Sequence, residues 1–139
     1  MDPERTALSL NQPWASLLIN GEKSIEIRKW IPPTNLIGKR IIIHATQKVA
    51  VVNDVYSIAL KYPQPTGCLL GSAVLTGFRE YDQKYKWIID SGKHMNPIGW
   101  WSENIYGWRF AEMKIFEQPI KCKGKQRFWS IPDDIIIPE

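Results

Sequence analysis

Two residue periods meet in one short stretch near the start of the chain, and the join fixes the local chain path. Residues 11 to 21, Asn-Gln-Pro-Trp-Ala-Ser-Leu-Leu-Ile-Asn-Gly, read as a brief helix over Pro13–Asn20. Asn11 suits the N-cap, Pro13 the first turn, where its missing N–H costs nothing, and Gly21 the left-handed residue that closes a helix. From Ser24 to Arg28 the period switches to two, so Ile25 and Ile27 share one face while Ser24, Glu26 and Arg28 share the other. The isoleucine face suits a core. The opposite face carries a hydroxyl, an acid and a base, with Lys23 just before them at the exit of a helix-turn-strand unit.

Around this unit the signals are mostly those of short strands. Thr6–Leu10 reads as a first strand, and Pro32 and Pro33 hold open a loop over residues 30–35. Gly38–His44 is a strand whose isoleucine run predicts burial on both faces. Lys48–Lys61 has helical spacing in Val51, Val55, Ile58 and Leu60. Gly67–Phe78 is a strand in which Gly71 predicts a bulge or a close backbone approach. Residues 79–104 read as a long polar and aromatic loop with at most a short helical piece. Tyr106–Gln118 returns to strand, with an edge or bulge at Pro119, and a last strand lies at Arg127–Ile131. This is a mixed α+β chain, mainly β. It predicts a small, partly open β-barrel of about six strands with peripheral helices, not the regular alternation of a doubly wound sheet. At 139 residues a single domain, 1–139, is expected.

The formal net charge is +4, and the cations are grouped. Lys114, Lys121, Lys123, Lys125 and Arg127 crowd a late segment; Lys23, Arg28, Lys29, Lys39 and Arg40 crowd an early one. Such grouping leans toward an anionic partner. The chain has 7 tryptophans, several in polar surroundings. Trp14, in a first helical turn, reads as a packing anchor, and Trp30, beside Lys29 and the prolines, as a surface for base stacking. Trp100 and Trp101 are adjacent in an extended segment, so one of them lines a cleft or an interface. Tyr106 and Trp108, two residues apart, read as barrel core. Cys68 and Cys122 have no metal or redox spacing and read as buried free thiols. His44, ending a buried strand, reads as a hydrogen-bonded structural histidine. No metal-ligand spacing, phosphate loop or nucleophile elbow is present, so neither metal nor cofactor is expected. No leader-like segment and no membrane-spanning run is evident, which gives a cytoplasmic expectation with no membrane partner.

An ordered set of short motifs carries a resemblance. It comprises Gln12-Pro13-Trp14-Ala15, the G-x-K-x-x-E-x-R pattern of Gly21, Lys23, Glu26 and Arg28, and Gly38-Lys39-Arg40 leading to Ile43-His44-Ala45. Thr66-Gly67-Cys68-Leu69-Leu70-Gly71 follows, then Pro119-Ile120-Lys121 with Gly124 and Trp129. Together they resemble the ASCH domain family, a branch of the PUA-like superfamily, over nearly the whole chain. The version found at the C-terminus of eukaryotic transcription coactivators is the most similar. The resemblance implies a six-stranded barrel with a cleft lined by Lys23, Glu26 and Arg28. It also implies binding of RNA or another nucleic acid, with a nucleoside or a protein as further partner classes.

The ligand contacts expected on this basis are Gln12, Trp14, Lys23, Glu26, Arg28, Trp30, Trp100, Lys121, Lys123 and Lys125. Arg28 offers a planar fork of donors to phosphate or a base edge, and Lys23 a point charge. Glu26 would accept from an exocyclic amine, or simply hold Arg28 in place. The alternative is a hydrolase. Some small bacterial members are amidohydrolases acting on N4-acetylcytidine, with a threonine nucleophile three residues after the signature lysine; another is a nuclease. Here that position is Glu26, and Ser24 is displaced from it. The acid–base or nucleophile candidates for such chemistry are Lys23, Glu26, Ser24 and His44.

Overall fold

A computed structural model describes residues 5–52 and 55–138. Its elements in chain order are β1 (Thr6–Gln12), α1 (Trp14–Ile19), β2 (Ile25–Arg28), β3 (Arg40–Val49), α2 (Tyr56–Ala59), β4 (Cys68–Glu80), α3 (Lys84–Ile89), α4 (Ser91–His94), β5 (Tyr106–Lys121) and β6 (Phe128–Ser130). The strands form one six-stranded sheet in the order β2-β5-β4-β3-β1-β6. Only β1 and β3 run parallel; the other neighbours are antiparallel. The sheet is not closed, so β2 and β6 are its two edges.

Two apolar clusters explain the isoleucine run of β3. Ile41 and Ile43 join a core containing Leu8 and Leu10 of β1, Leu17 and Leu18 of α1, Leu75 of β4 and Trp108 of β5. Ile42 points the other way, onto Ala7, Leu69, Cys122, Trp129 and Ile131. Every residue of α1 is buried, because this short helix plugs the larger core instead of lying on the surface. A third cluster joins Ile25 of β2 to Tyr81, Trp87 and Ile105. Cys68 and Cys122 are both free and buried, and burial raises both thiols above their ordinary range.

Three sequence expectations are corrected. The helix expected over Lys48–Lys61 reduces to Tyr56–Ala59, because β3 continues to Val49 and the Ala50 N–H donates to the Gln12 carbonyl at 2.6 Å. Val51 and Leu60, which supplied half of the helical spacing, are exposed. Residues 53 and 54 of that span lie outside the described residues. The expected long loop 79–104 contains α3, α4 and a 3₁₀ turn at Ile98–Trp100. These helices are short and leave Ile88 and Ile89 exposed, so no apolar stripe announced them. Finally, Asn11 does not cap α1. The helix opens at Trp14, and the Gln12 side-chain oxygen accepts the Ser16 N–H at 3.0 Å. Gly21 does take the left-handed conformation expected of it, with φ of 83°.

Candidate nucleic-acid interface

Edge strand β2 pairs with β5 through Ile25–Arg109, Glu26–Trp108, Ile27–Gly107 and Arg28–Tyr106. Its far side faces the open seam of the barrel. The alternation read in the sequence holds over Ile25–Arg28. The Ile25 and Ile27 face packs under α3 and α4, while Glu26 and Arg28 point to the seam. Arg28 spans that seam: its Nη2 donates to the Ser9 carbonyl of β1 at 3.2 Å, and its guanidinium lies 5.7 Å from the Trp108 ring centre. Trp108 in turn stacks on Phe128 of β6 at 5.4 Å. Side chains therefore join the two edges that backbone hydrogen bonds leave apart.

Behind Arg28 lies a buried charge triad. The Glu26 carboxylate is paired through Oε1 with Lys23 Nζ at 3.3 Å and through Oε2 with Arg28 Nη1. Lys23 is completely buried; its ammonium also donates to the His94 carbonyl at 2.6 Å and lies 5.1 Å from the Trp14 ring centre. Burial pushes the Lys23 ammonium below the ordinary lysine range, against the opposing pull of Glu26. Burial alone would raise the Glu26 carboxyl, but the Arg28 and Lys23 charges outweigh it and hold it below the usual carboxylate range. The acid is thus ionised. Each of its oxygens holds one cation, and the pairing positions Arg28.

The cleft in front of this triad encloses about 400 Å³, within the range of small-ligand sites. Its aromatic walls are Trp14, Trp87 and Trp100, with Trp100 set edge-on to Trp14 at 6.0 Å. Polar groups come from Asn11, Arg28, Lys29, Asn96 and Ser102. The α3–α4 segment is what closes it. Lys23 holds the His94 carbonyl, His94 Nε2 donates to the Trp87 carbonyl at 2.9 Å, and His94 Nδ1 accepts the Asn96 N–H at 3.0 Å. These bonds fix the tautomer, and burial holds the imidazole below its ordinary pKa, hence neutral.

The expected site residues divide by place. Trp14, Glu26, Arg28 and Trp100 line the cleft, Lys23 lies directly behind Glu26, and Trp100 is 53% exposed. Trp101, its neighbour, turns inward and donates its indole N–H to the Tyr81 carbonyl at 3.0 Å. Gln12 is not at the cleft: it is buried, and its amide nitrogen donates to Ser16 Oγ and the Pro65 carbonyl, both at 2.8 Å. Trp30 is also elsewhere, in a shallow depression with Pro32, Pro33 and Phe128, and Arg127 already covers its ring at 4.4 Å. Lys121, Lys123 and Lys125 are exposed and are not among the residues lining the cleft. Ser24 faces a different hollow, beside Arg79, Lys93 and Arg109. His44 is buried between Ser9 Oγ at 3.1 Å and the Cys122 carbonyl at 2.8 Å, with Gly124 against its ring. Trp87, Asn96 and Asn11 were missed by sequence reasoning. The first two sit in the segment read as a loop, and Asn11 was assigned to a helix cap.

The family model for the ASCH domain matches residues 8–119. The chain belongs to the ASCH domain family. Among curated relatives, Activating signal cointegrator 1 of Homo sapiens is 38% identical and that of Mus musculus 28% identical, each over 140 residues. Either match covers 92% of this chain and 22% of the relative, so this ASCH chain corresponds to about a fifth of those proteins. Among solved structures, ASCH from Zymomonas mobilis superposes with a TM-score of 0.68 at 17% identity, covering 96% of this chain and 91% of that one. A mutant of the same protein gives 0.66 at 18% identity, covering 95% and 92%. At such identities the likeness is one of fold, and it agrees with the mainly β, PUA-like architecture expected for an ASCH domain.

Proposed function

We propose that this ASCH domain binds RNA or another nucleic acid and takes one nucleotide into the seam cleft. One observation carries the reading: three tryptophans wall a cleft whose back is a buried charge triad ending in Arg28. Tryptophan faces stack on bases of any sequence, and a guanidinium held by a carboxylate presents fixed donors to phosphate or a base edge. Family membership and the exposed lysines support the same partner. Relatives named as an activating signal cointegrator suggest that the nucleic-acid contact serves a larger assembly.

Trp100→Ala tests this directly. Loss of one stacking surface should weaken binding of a labelled RNA by about 1–3 kcal/mol in fluorescence anisotropy. Because Trp100 is largely exposed, thermal stability should move by less than about 1 kcal/mol. Unchanged affinity, or no binding to RNA or single-stranded DNA at low salt, defeats the proposal. The hydrolase alternative has a separate test. With the Lys23 ammonium engaged by Glu26 and the His94 carbonyl, no turnover of N4-acetylcytidine is expected. Cytidine detected by chromatography, and lost in Lys23→Ala, would favour the hydrolase.

A further inference from the structure

Ser24 serves neither the seam cleft nor the core. The hollow it faces encloses about 240 Å³ and shares no lining residue with the cleft. Thr76 and Arg79 of β4, Asp90 and Lys93 of the α3–α4 segment, and Arg109 of β5 line it with Ser24. Three cations thus border the hollow against one carboxylate. Asp90 gathers two of them: Arg79 Nε lies 3.6 Å from its Oδ2 and Lys93 Nζ 3.9 Å from its Oδ1. Arg109 stands opposite Gly77 in the β4–β5 register, and Gly77 shares a strand face with Arg79. The glycine has open space where a Cβ would be, so nothing fills the sheet surface beside the two arginines. Tyr81 donates its hydroxyl to Asp90 Oδ2 at 2.9 Å. Burial and Asp90 push that hydroxyl above its ordinary range, and the charges of both Arg79 and Arg109 act against them. The Arg79 charge also reaches Asp82, but Lys86 already pairs with that carboxylate at 2.7 Å.

The donors at this hollow are ones the fold does not use. Among the described residues, the side chains of Arg79, Arg109, Lys93 and Ser24 make no hydrogen bond within the protein. Other arginines do: Arg28 donates to Glu26 and to the Ile27 and Ser9 carbonyls, and Arg40 to Ser72 Oγ and the Glu112 carbonyl. The frame that carries the unused donors is fixed by backbone. The Ser24 N–H donates to the Lys93 carbonyl at 2.9 Å, and the Phe110 N–H to the Ser24 carbonyl at 2.8 Å. A phosphate group offers acceptors and negative charge, which is what this lining lacks. Guanidinium supplies paired planar donors, ammonium a point charge, and the serine hydroxyl a further donor. Three cations less one carboxylate leave two positive charges to oppose it. We infer that this hollow is a phosphate-binding site in which Arg79, Lys93, Arg109 and Ser24 hold the oxygens of one phosphate group. That group comes from solution or from a nucleic-acid strand, and the site does not depend on a nucleotide entering the cleft.

The experiment titrates the isotope-labelled protein with inorganic phosphate, exchanged for chloride at fixed ionic strength, and follows backbone and arginine N–H signals by NMR. Saturable shifts should centre on Ser24, Lys93 and Arg109. Arg109→Gln, which removes a cation without an ion-pair partner among the described residues, should weaken binding by roughly tenfold or more, the worth of a charge-assisted hydrogen bond. Lys121→Gln removes an exposed cation that does not line the hollow and should leave phosphate affinity unchanged. Should Arg109→Gln not fold, Lys93→Gln makes the same measurement. A short RNA then separates the two sources. A strand-borne phosphate moves the same signals and competes with inorganic phosphate, and Arg109→Gln lowers the salt slope of RNA binding by about 1. RNA that leaves those signals in place, or does not bind, assigns the site to free phosphate. Signals at Ser24, Lys93 and Arg109 that saturate with neither ligand, or a response unchanged in Arg109→Gln, overturn the inference. Neither result touches the cleft, whose reading stands or falls on Trp100→Ala.

Discussion

Replacing Glu26 by glutamine would leave Lys23 buried against a neutral amide, and that change isolates what the carboxylate does. In the folded chain the Glu26 carboxyl is held below the ordinary range, so the folded state binds its proton less readily than the unfolded chain does. The stability it contributes is complete above the unfolded value of about 4.3 and is lost as pH falls through the folded one. Removing one partner of a buried pair costs about 3–5 kcal/mol, so Glu26→Gln should lose that much at pH 7. In urea melts the gap between wild type and variant should narrow as pH falls below about 4.3, where the unfolded chain takes up the proton, and close only once the folded carboxyl, held lower, is protonated too. A constant gap across that range would mean that the carboxylate charge contributes nothing. The grouping of Lys23, Glu26 and Arg28 was legible in the sequence because their spacing follows a turn and a period of two. Their burial was not legible, since an alternating strand reads as half solvated. Only the placement of β2 at the seam, with His94 over Lys23, takes those charges out of water.

At the level of elements, glycines were the best guides and short helices the worst. Gly21 and Gly71 were both singled out, for different reasons, and the structure separates them. Gly21 has open space around a would-be Cβ, so its cost on substitution is conformational alone, at φ of 83°. Gly71 lies where β4 and β5 change register, and a Cβ there would overlap the Lys114 carbonyl oxygen and approach Ile19 Cδ1 at 2.8 Å and Ile115 Cα at 2.9 Å. Gly21→Ala should therefore cost about 1–2 kcal/mol, the penalty of a left-handed L-residue. Gly71→Ala requires β5 backbone to move and should cost upwards of about 3 kcal/mol, the severe end of overpacking. Chemical denaturation of the two variants checks the order, and a reversal would contradict the packing at β4–β5. The segment forming α3 and α4 gave no comparable signal. Its anchors, Trp87 and His94, are single buried residues held by Lys23 and by each other, a tertiary arrangement without a sequence period. The cleft wall they build was for that reason the least legible part of the site.

Over the whole molecule, the positive charge read from composition falls into separate groups, and the backbone of one is tied to the cleft. Ser9 lies at the seam and donates to the Lys125 carbonyl at 2.6 Å, which ties the Lys121–Arg127 segment to the rim. Lys121, Lys123, Lys125 and Arg127 are exposed, and a second cationic group, Arg79, Lys93 and Arg109, surrounds the buried Asp90 beyond α4. Asp90 lies 3.6 Å from Arg79 and 3.9 Å from Lys93, while Arg109 has no ion-pair partner among the described residues. On the proposed reading, both groups are candidates for phosphate contact. If about three to five phosphates are neutralised, the logarithm of the binding constant should fall with the logarithm of salt concentration at a slope of about −2 to −4. Changing Lys121, Lys123 and Lys125 together to glutamate removes three of those cations. The slope should then become shallower by about 2, with affinity reduced for every sequence alike, since phosphate contacts carry no base information. Stability should be nearly unchanged, because all three side chains are in solvent. Anisotropy titrations between about 50 and 200 mM salt measure the slope. A slope unaltered by the triple change would place the phosphate path on the Arg79, Lys93 and Arg109 side, and a slope near zero for the unmodified protein would exclude phosphate contacts as the source of affinity.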